Sequence, residues 1–357
     1  MQPNPNLRAL LGIEHSLILA PMAGATTPEL VAAVSNAGGL GMLPGAYQTP
    51  AQITVGIAAT RRLTNRPFGV NLFAGGDEPL GDADPQPMLA ILARCHEELG
   101  LPPPSLPVSE SVPFEAQLEA VLNSGVPIFS FTFGIPSPRA MAQLKERGIT
   151  IMGTATTVDE ARQLADAGVD AVVAQGSEAG AHRGTFSAPF EAALIGSVAL
   201  VPQIVDSVAL PVIASGGIMD GRGIVAAEAL GAAGVQLGTA FLTCPETGIP
   251  DAYKAAIRSA GTTETTVTRA YSGRPARGIV NAFMLVAEQQ PDAILPFPHQ
   301  NVLTRPMRNA AAASGDTRFL SLWAGQGAAL ARELPAGELV RQLLTEAADV
   351  RARFANT

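Results

Sequence analysis

The chain has 357 residues, 47% of them hydrophobic and only 15% charged, and its formal net charge is −8. That composition suits a large buried core. The absence of any long Lys/Arg run argues against nucleic acid or an anionic membrane as a partner, and no apolar run reaches the length of a membrane span. The two cysteines, Cys95 and Cys244, are far apart in no metal-type spacing. They are expected as free thiols of a cytoplasmic protein, since the N-terminus lacks a basic start followed by a long apolar core.

One grammar recurs along the chain: a short apolar run, a Gly-rich or polar loop, an amphipathic helix, and the next run. Strands are predicted over 17–20, 40–43, 68–73, 128–133, 150–152, 171–174, 212–214 and 234–237. Helices are predicted over 28–37, 51–63, 114–122, 139–147, 158–167, 191–206, 223–230 and 251–259. The clearest unit starts at Thr157, which has capping-box spacing to Glu160. It places Val158, Ala161, Leu164 and Ala165 on one face, and Gly168 can close the helix in the left-handed conformation.

About eight such units argue for a closed (β/α)8 TIM barrel. An open doubly wound sheet is the runner-up, but "APMAGATTPE" offers no GxGxxG turn after the first strand. Two stretches break the repeat. Residues 74–112 form a Pro-rich insertion after the third strand, with one helix over 88–99, placed where it can lid the site. The expected division is a barrel over 1–261 and a covering subdomain over 262–357, which ends in a helix over 336–354.

In a barrel, functional groups gather where strands end. The predicted ends are rich in glycine, amides and hydroxyls and nearly empty of carboxylates, which excludes paired-acid glycosidase work and a carboxylate–histidine metal cluster. After the last two strands, Gly216, Gly217, Gly238 and Thr239 can aim backbone N–H groups at one phosphate. The plainer alternative is that these glycines only make tight turns. No lysine sits at a strand end for aldol chemistry, and no cysteine follows the sixth strand. A flavin fits better, with small residues at 20–24 beneath it and amides at Asn71 and Gln175 for its polar edge.

These residues resemble the FMN-dependent nitronate monooxygenases, also called 2-nitropropane dioxygenases. The similar stretches are "APMAGATTPELVAAVSNAGGLG", "PFGVNLF", "SFTFGIP", "VVAQGSEAGAHRG", "PVIASGGIMDGRG", "GVQLGTAF", "YSGRPARGIVN" and "SLWAGQG". The resemblance implies that Pro21, Met22 and Ala23 support the flavin and that Asn71, Gln175 and Gly180 contact it. It implies further that Gly217, Gly238 and Thr239 hold the phosphate with Gln236 nearby. Ser130, Gly134 and Pro136 match the family's S-x-x-x-G-x-P stretch. His182 matches the catalytic histidine. The implied reaction converts an alkyl nitronate, such as propionate 3-nitronate, and O2 to a carbonyl compound and nitrite through a flavin semiquinone. The family commonly carries glycine where this chain has Ala181, a residue that restricts positive φ.

His182 differs from His15, His96 and His299 in lying at a strand end among small residues. As imidazolium it could hold the nitronate anion; as neutral imidazole it could take the α-proton of a parent nitroalkane. Arg183 is expected either to contact substrate or to pair with Glu178, and Glu178 to orient the loop. Tyr253, Tyr271 and Arg274 are candidate substrate contacts, Arg274 through a substrate carboxylate; the alternative for Arg274 is a packed turn. Two other readings stand beside this one. One is an NAD(P)H-dependent flavin reductase of the enoyl-acyl carrier protein reductase or quinone reductase type; the other is a flavin- or phosphate-binding barrel without catalysis.

Overall fold

The computed structural model describes residues 6–106 and 112–355. Residues 107–111, at the end of the expected insertion, lie outside the described residues. The strands in chain order are β1 (Leu17–Leu19), β2 (Gly41–Pro44), β3 (Phe68–Phe73), β4 (Ile128–Thr132), β5 (Thr150–Ala155), β6 (Ala171–Gln175), β7 (Ala181–His182), β8 (Val212–Ser215), β9 (Gly234–Leu237), β10 (Thr265–Thr268) and β11 (Ala276–Ile279).

Eight of them form a parallel sheet in the order β1-β9-β8-β6-β5-β4-β3-β2. The ring closes where Leu19 N donates to Leu40 O at 2.8 Å and Leu40 N donates to Leu17 O at 2.9 Å. This is the (β/α)8 barrel that the repeat predicts. Its strands read as unbroken apolar runs because both faces are covered. Leu17 and Leu19 pack outward on the helices, while Ile18 points inward with Met42, Ile128, Met152, Val173 and Ile213. The helix Leu7–Leu11 plugs the N-terminal end of that inner core. Two residues further along the strands, the inward positions turn polar: Ile128 gives way to Ser130, Val173 to Gln175 and Ile213 to Ser215. The barrel is therefore filled with apolar side chains at one end and lined with hydrogen-bonding groups at the other.

Two local expectations change. The single helix expected over 191–206 is broken into a 3-10 turn, Glu191–Ala193, and the helix Ser197–Val205. The break falls where the Glu178 carboxylate accepts from Ser197 N at 2.8 Å and caps the new helix start. The expected capping box is only half made. Thr157 Oγ1 accepts from Glu160 N at 3.2 Å, but the Glu160 carboxylate turns to Thr156, Thr185, Phe186 and Ser187 instead.

The insertion and the C-terminal part share a second core. Met88, Ile91, Leu92 and Cys95 of helix Gln86–Glu98 pack with Ile257, Tyr271, Phe283, Met284 and Met307. The last helix, Ala336–Ala355, does not join this cover as its place in 262–357 led one to expect. Its apolar stripe of Leu339, Val340, Leu343 and Ala347 packs into the barrel's outer core, and a Cβ on Gly221 would lie 2.3 Å from Ala347 N. None of the described helices is long and apolar enough to cross a membrane.

Close packing of helix on strand gives a direct test. A Cβ on buried Gly41 would lie 2.4 Å from Val31 O, so Gly41→Ala is expected to lower stability by about 2 kcal/mol through overpacking. Gly56, inside helix Pro50–Leu63, has nothing within 4 Å of such a Cβ, so Gly56→Ala is expected to raise stability by about 0.5–1 kcal/mol. Urea denaturation of the two variants checks both signs.

Candidate active site

Strand β6 ends at Gln175, and the next seven residues double back so that Ala181 and His182 form the edge strand of a second sheet, β10-β11-β7. In that sheet His182 pairs with Ala276 and Ala181 with Arg277. The histidine is thus held from two sides, by the barrel strand before it and by a strand about ninety residues later.

Two buried charges fix the loop. Arg183 is 5% exposed; its Nη1 donates to the carbonyls of Gln175 and Gly176, and its Nη2 to that of Ala193. It forms no ion pair with Glu178 and is a strut of the loop, which answers the choice left open by the sequence. Glu160 is fully buried. Its Oε1 accepts from Thr185 Oγ1 and Phe186 N, both at 2.7 Å, and from Ser187 N at 3.1 Å. Burial alone would raise the Glu160 pKa, but these donors and Thr156 outweigh it and hold the carboxylate below its usual range.

The His182 ring stands in an aromatic box. Its centroid is 5.7 Å from Trp323, 5.9 Å from Phe133, 6.2 Å from Phe297 and 6.4 Å from Phe73. Its Nε2 shares a 2.8 Å hydrogen bond with Ser272 Oγ. Ser272 Oγ also donates to Arg274 O at 3.2 Å and accepts from Arg274 N at 3.3 Å. The network is complete when His182 carries its proton on Nε2, which leaves the Nδ1 lone pair without a partner among the described residues. Burial, then the charges of Arg274 and Arg308, push the imidazole pKa down to about 3. The ring is therefore neutral at physiological pH, not the imidazolium that the sequence left open.

The only described non-glycine residues with positive φ are Phe133 (φ 69) and Ala181 (φ 60), and both adjoin this ring. Ala181 adopts the conformation its side chain was expected to restrict. Left-handed backbone at two non-glycine positions stores strain of order 1–3 kcal/mol each.

The glycine loops meet the loop of His182. Gly216 (φ 114) and Gly217 (φ 73) follow β8, and Gly238 and Thr239 follow β9. None of the four donates its backbone N–H to another described residue, so together they form a donor set suited to one anion. A segment the sequence reading did not place completes this corner. Gly325 N donates to Thr239 Oγ1 at 2.9 Å, Gln326 N donates to Glu178 O at 2.9 Å, and a Cβ on Gly180 would lie 2.5 Å from Gly325 N. Gly180 is thus glycine because the chain crosses itself there.

The other expected residues divide. Pro21, Met22 and Ala23 form an open turn after β1, with a Cβ on Gly238 placed 3.5 Å from Met22 Sδ. Asn71 is buried and donates to Ser130 Oγ at 2.8 Å, while Gln236 makes no side-chain hydrogen bond among the described residues. The Gln175 amide is turned into the loop, donating to His182 O at 3.0 Å and accepting from Gly184 N at 2.8 Å. Tyr271 is fully buried and donates to Leu320 O at 2.7 Å, and Tyr253 donates to Trp323 O at 2.7 Å. Both tyrosines support the box from behind and present no hydroxyl to a substrate. Arg274 staples the insertion to the His182 loop, donating to Gly76 O and Thr185 O at 2.9 Å each, with its guanidinium 4.2 Å from the Phe133 ring centroid.

A family model described as nitronate monooxygenase matches residues 4–346. A probable nitronate monooxygenase of Staphylococcus saprophyticus is 42% identical over 99% of this chain and 100% of its own length. One of Staphylococcus aureus is 44% identical over 95% and 96%. Among solved structures, a nitroalkane oxidase from Streptomyces ansochromogenes superposes with a TM-score of 0.90 at 41% identity, covering 98% of this chain and 99% of that one. FabK from Thermotoga maritima superposes with a TM-score of 0.79 at 30% identity, covering 98% of each.

Two measurements test this geometry. Ala181→Gly removes left-handed strain but loosens the unfolded chain, and is expected to leave stability unchanged or higher by up to about 1 kcal/mol. Ala181→Val, β-branched at positive φ, is expected to lower it by about 2 kcal/mol. The second measurement is pH dependence. The His182 pKa falls on folding from its ordinary 6.5 to about 3, so the unfolded chain takes up the proton first. The stability linked to this group is complete above pH 6.5 and is lost as the pH falls toward 3. A His182→Asn variant is expected to show a flatter stability profile across that window.

Proposed function

The chain belongs to the nitronate monooxygenase family, and on that premise we propose that it is an FMN-dependent enzyme that oxidises alkyl nitronates with O2 to a carbonyl compound and nitrite. The observation that supports this reading most is His182: a neutral imidazole in an aromatic box, its Nε2 bonded to Ser272 and its Nδ1 without a partner among the described residues.

The residues fit the cofactor. Gly216, Gly217, Gly238 and Thr239 would hold its phosphate with Gln236 nearby, Pro21 to Ala23 would support the ring, and Asn71 would meet its polar edge. Gln175 and Gly180 would act indirectly, by shaping the loop that carries His182. FMN, when bound, supplies the electron acceptor that no side chain provides.

The chain does the rest. A neutral His182 cannot hold an anion by charge; that task falls to the positive field of Arg274, which acts on the ring. For a parent nitroalkane, Nδ1 accepts the α-proton while Ser272 keeps the other nitrogen protonated and the ring oriented. Phe73, Phe133, Phe297 and Trp323 keep water away from the reacting carbon.

The test is nitrite release and O2 uptake by the yellow protein with propyl nitronate, beside an NADPH control under anaerobic conditions. Release of nitrite is expected; rapid bleaching by NADPH with no nitrite from a nitronate would move the chain to the reductase reading. With the parent nitroalkane as substrate, where a proton must be removed, His182→Asn is expected to keep the flavin absorbance and lose turnover by roughly 100-fold or more. Ser272→Ala is expected to lower kcat by about tenfold, the worth of one orienting hydrogen bond. Near-normal turnover in His182→Asn would remove the histidine from the mechanism.

A further inference from the structure

The N–H groups of the glycine corner lie on two separate loops, Gly216 and Gly217 after β8, Gly238 and Thr239 after β9. One anion is held by both pairs only when the spacing of the loops is set in advance. The helix that follows the first loop does not supply the missing donors. Helix Gly221–Ala229 has its first N–H groups filled by two carboxylates. Asp220 Oδ1 accepts from Arg222 N at 2.9 Å and from Gly223 N at 3.4 Å, and Glu346 Oε2 accepts from Gly221 N at 3.1 Å. A phosphate is therefore left with the loop donors and not the helix end.

The spacing is set by the C-terminal segment. Arg332 reaches both loops. Its Nη2 donates to Met219 O at 3.0 Å, in the loop after β8. Its own carbonyl accepts from Thr243 Oγ1 at 2.7 Å, just beyond the 3-10 turn that follows β9. Its Nη1 donates to Glu346 Oε1, which also accepts from Gln342 Nε2 at 3.1 Å, one turn earlier on the last helix. The ion pair thus grips the first loop on both sides of Asp220, by the carbonyl of Met219 and the N–H of Gly221. Backbone packing leaves no slack there. A Cβ on Gly221 would lie 2.4 Å from Glu346 C, and one on Gly327 would lie 2.6 Å from Met219 Cγ and 3.3 Å from Gly217 O. Among the described residues, no hydrogen bond joins the side chain of Arg332 or Glu346 to Gly216, Gly217, Gly238 or Thr239.

We propose that Arg332 and Glu346 are positioning residues for the cofactor phosphate, a cross-brace that sets the spacing of the two glycine loops without touching the anion. The inference rests on the flavin site proposed above and deepens it. Preference for a phosphorylated flavin is set by a residue 113 positions after the carbonyl it holds.

The experiment titrates full-length protein, freed of flavin, with FMN and with riboflavin, which lacks the phosphate. Binding is read from flavin fluorescence, and the quantity compared is the Kd for riboflavin over the Kd for FMN. Arg332→Met is expected to lower that ratio by about tenfold, the worth of a hydrogen bond to a charged group. Arg332→Lys keeps a cationic donor and is expected to recover part of the loss. Glu346→Gln keeps an acceptor for Gly221 N and is expected to lower the ratio by about threefold. Arg351→Met is the control. It breaks the pair with Glu228 near the other end of helix Gly221–Ala229, and is expected to leave the ratio unchanged. An unchanged ratio in Arg332→Met overturns the proposal, including the case in which both flavins weaken equally because the brace only stabilises the fold. An equal fall in Arg351→Met also overturns it. Should Arg332→Met not fold, Glu346→Gln carries the same decision. If the wild type binds FMN no better than riboflavin, the phosphate site fails and the brace with it. If it prefers FMN but releases no nitrite from a nitronate, the function fails, while the ratio still decides the brace.

Discussion

Arg183 and Glu160 are two buried charges of opposite sign that form no ion pair with each other, and the placing of His182 depends on both. Each is held by hydrogen bonds to the chain around it instead, Glu160 with the hydroxyls of Thr156 and Thr185 as well as peptide groups. Arg183 takes carbonyls on either side of the turn after β6, and Glu160 takes the N–H groups just beyond the histidine. A buried charge is tolerable only when hydrogen bonds replace its lost hydration, and here Arg183 has three carbonyls at its end nitrogens, its Nε alone being buried without a partner. The penalty for moving any of these peptide groups is therefore the exposure of a charge to an apolar interior. This makes a loop as rigid as a strand, and it is what permits left-handed backbone at Ala181.

The same logic orders the charge around the site. The chain is acidic overall at −8, yet arginines dominate the neighbourhood of His182. Arg274 and Arg308 depress the imidazole pKa in the same direction as burial does. A histidine kept neutral this way is not a competing cation, and the positive charge beside it is arginine charge that does not titrate.

Much of the barrel was legible in the sequence because its strands are covered on both faces and end in glycine. β3 and β9 fall on the residues expected, and the broken helix near 191–206 was missed because its cap, Glu178, lies nearly twenty residues earlier. The histidine and the glycine loops could be read from position alone. The roles of Tyr271, Gln175 and Arg183 could not, because each depends on which backbone group lies opposite. Tyr271 is buried by Leu320 O, forty-nine residues away. Phe297 and Arg308 carried no local signal at all, since both sit in a segment that meets the barrel only in three dimensions.

The pairing of β7 with β11 has a consequence for how the protein is made. During synthesis the barrel strands, ending at Leu237, leave the ribosome well before the strand Ala276–Ile279. The barrel can close and the glycine loops can form, but the edge strand holding His182 has nothing to pair with until that later segment arrives. Trp323 and Ser272 arrive late as well. A nascent or truncated chain thus holds the glycine loops of the barrel before it holds His182 in its fixed place, and before Gly325 and Gln326 complete the corner beside Thr239.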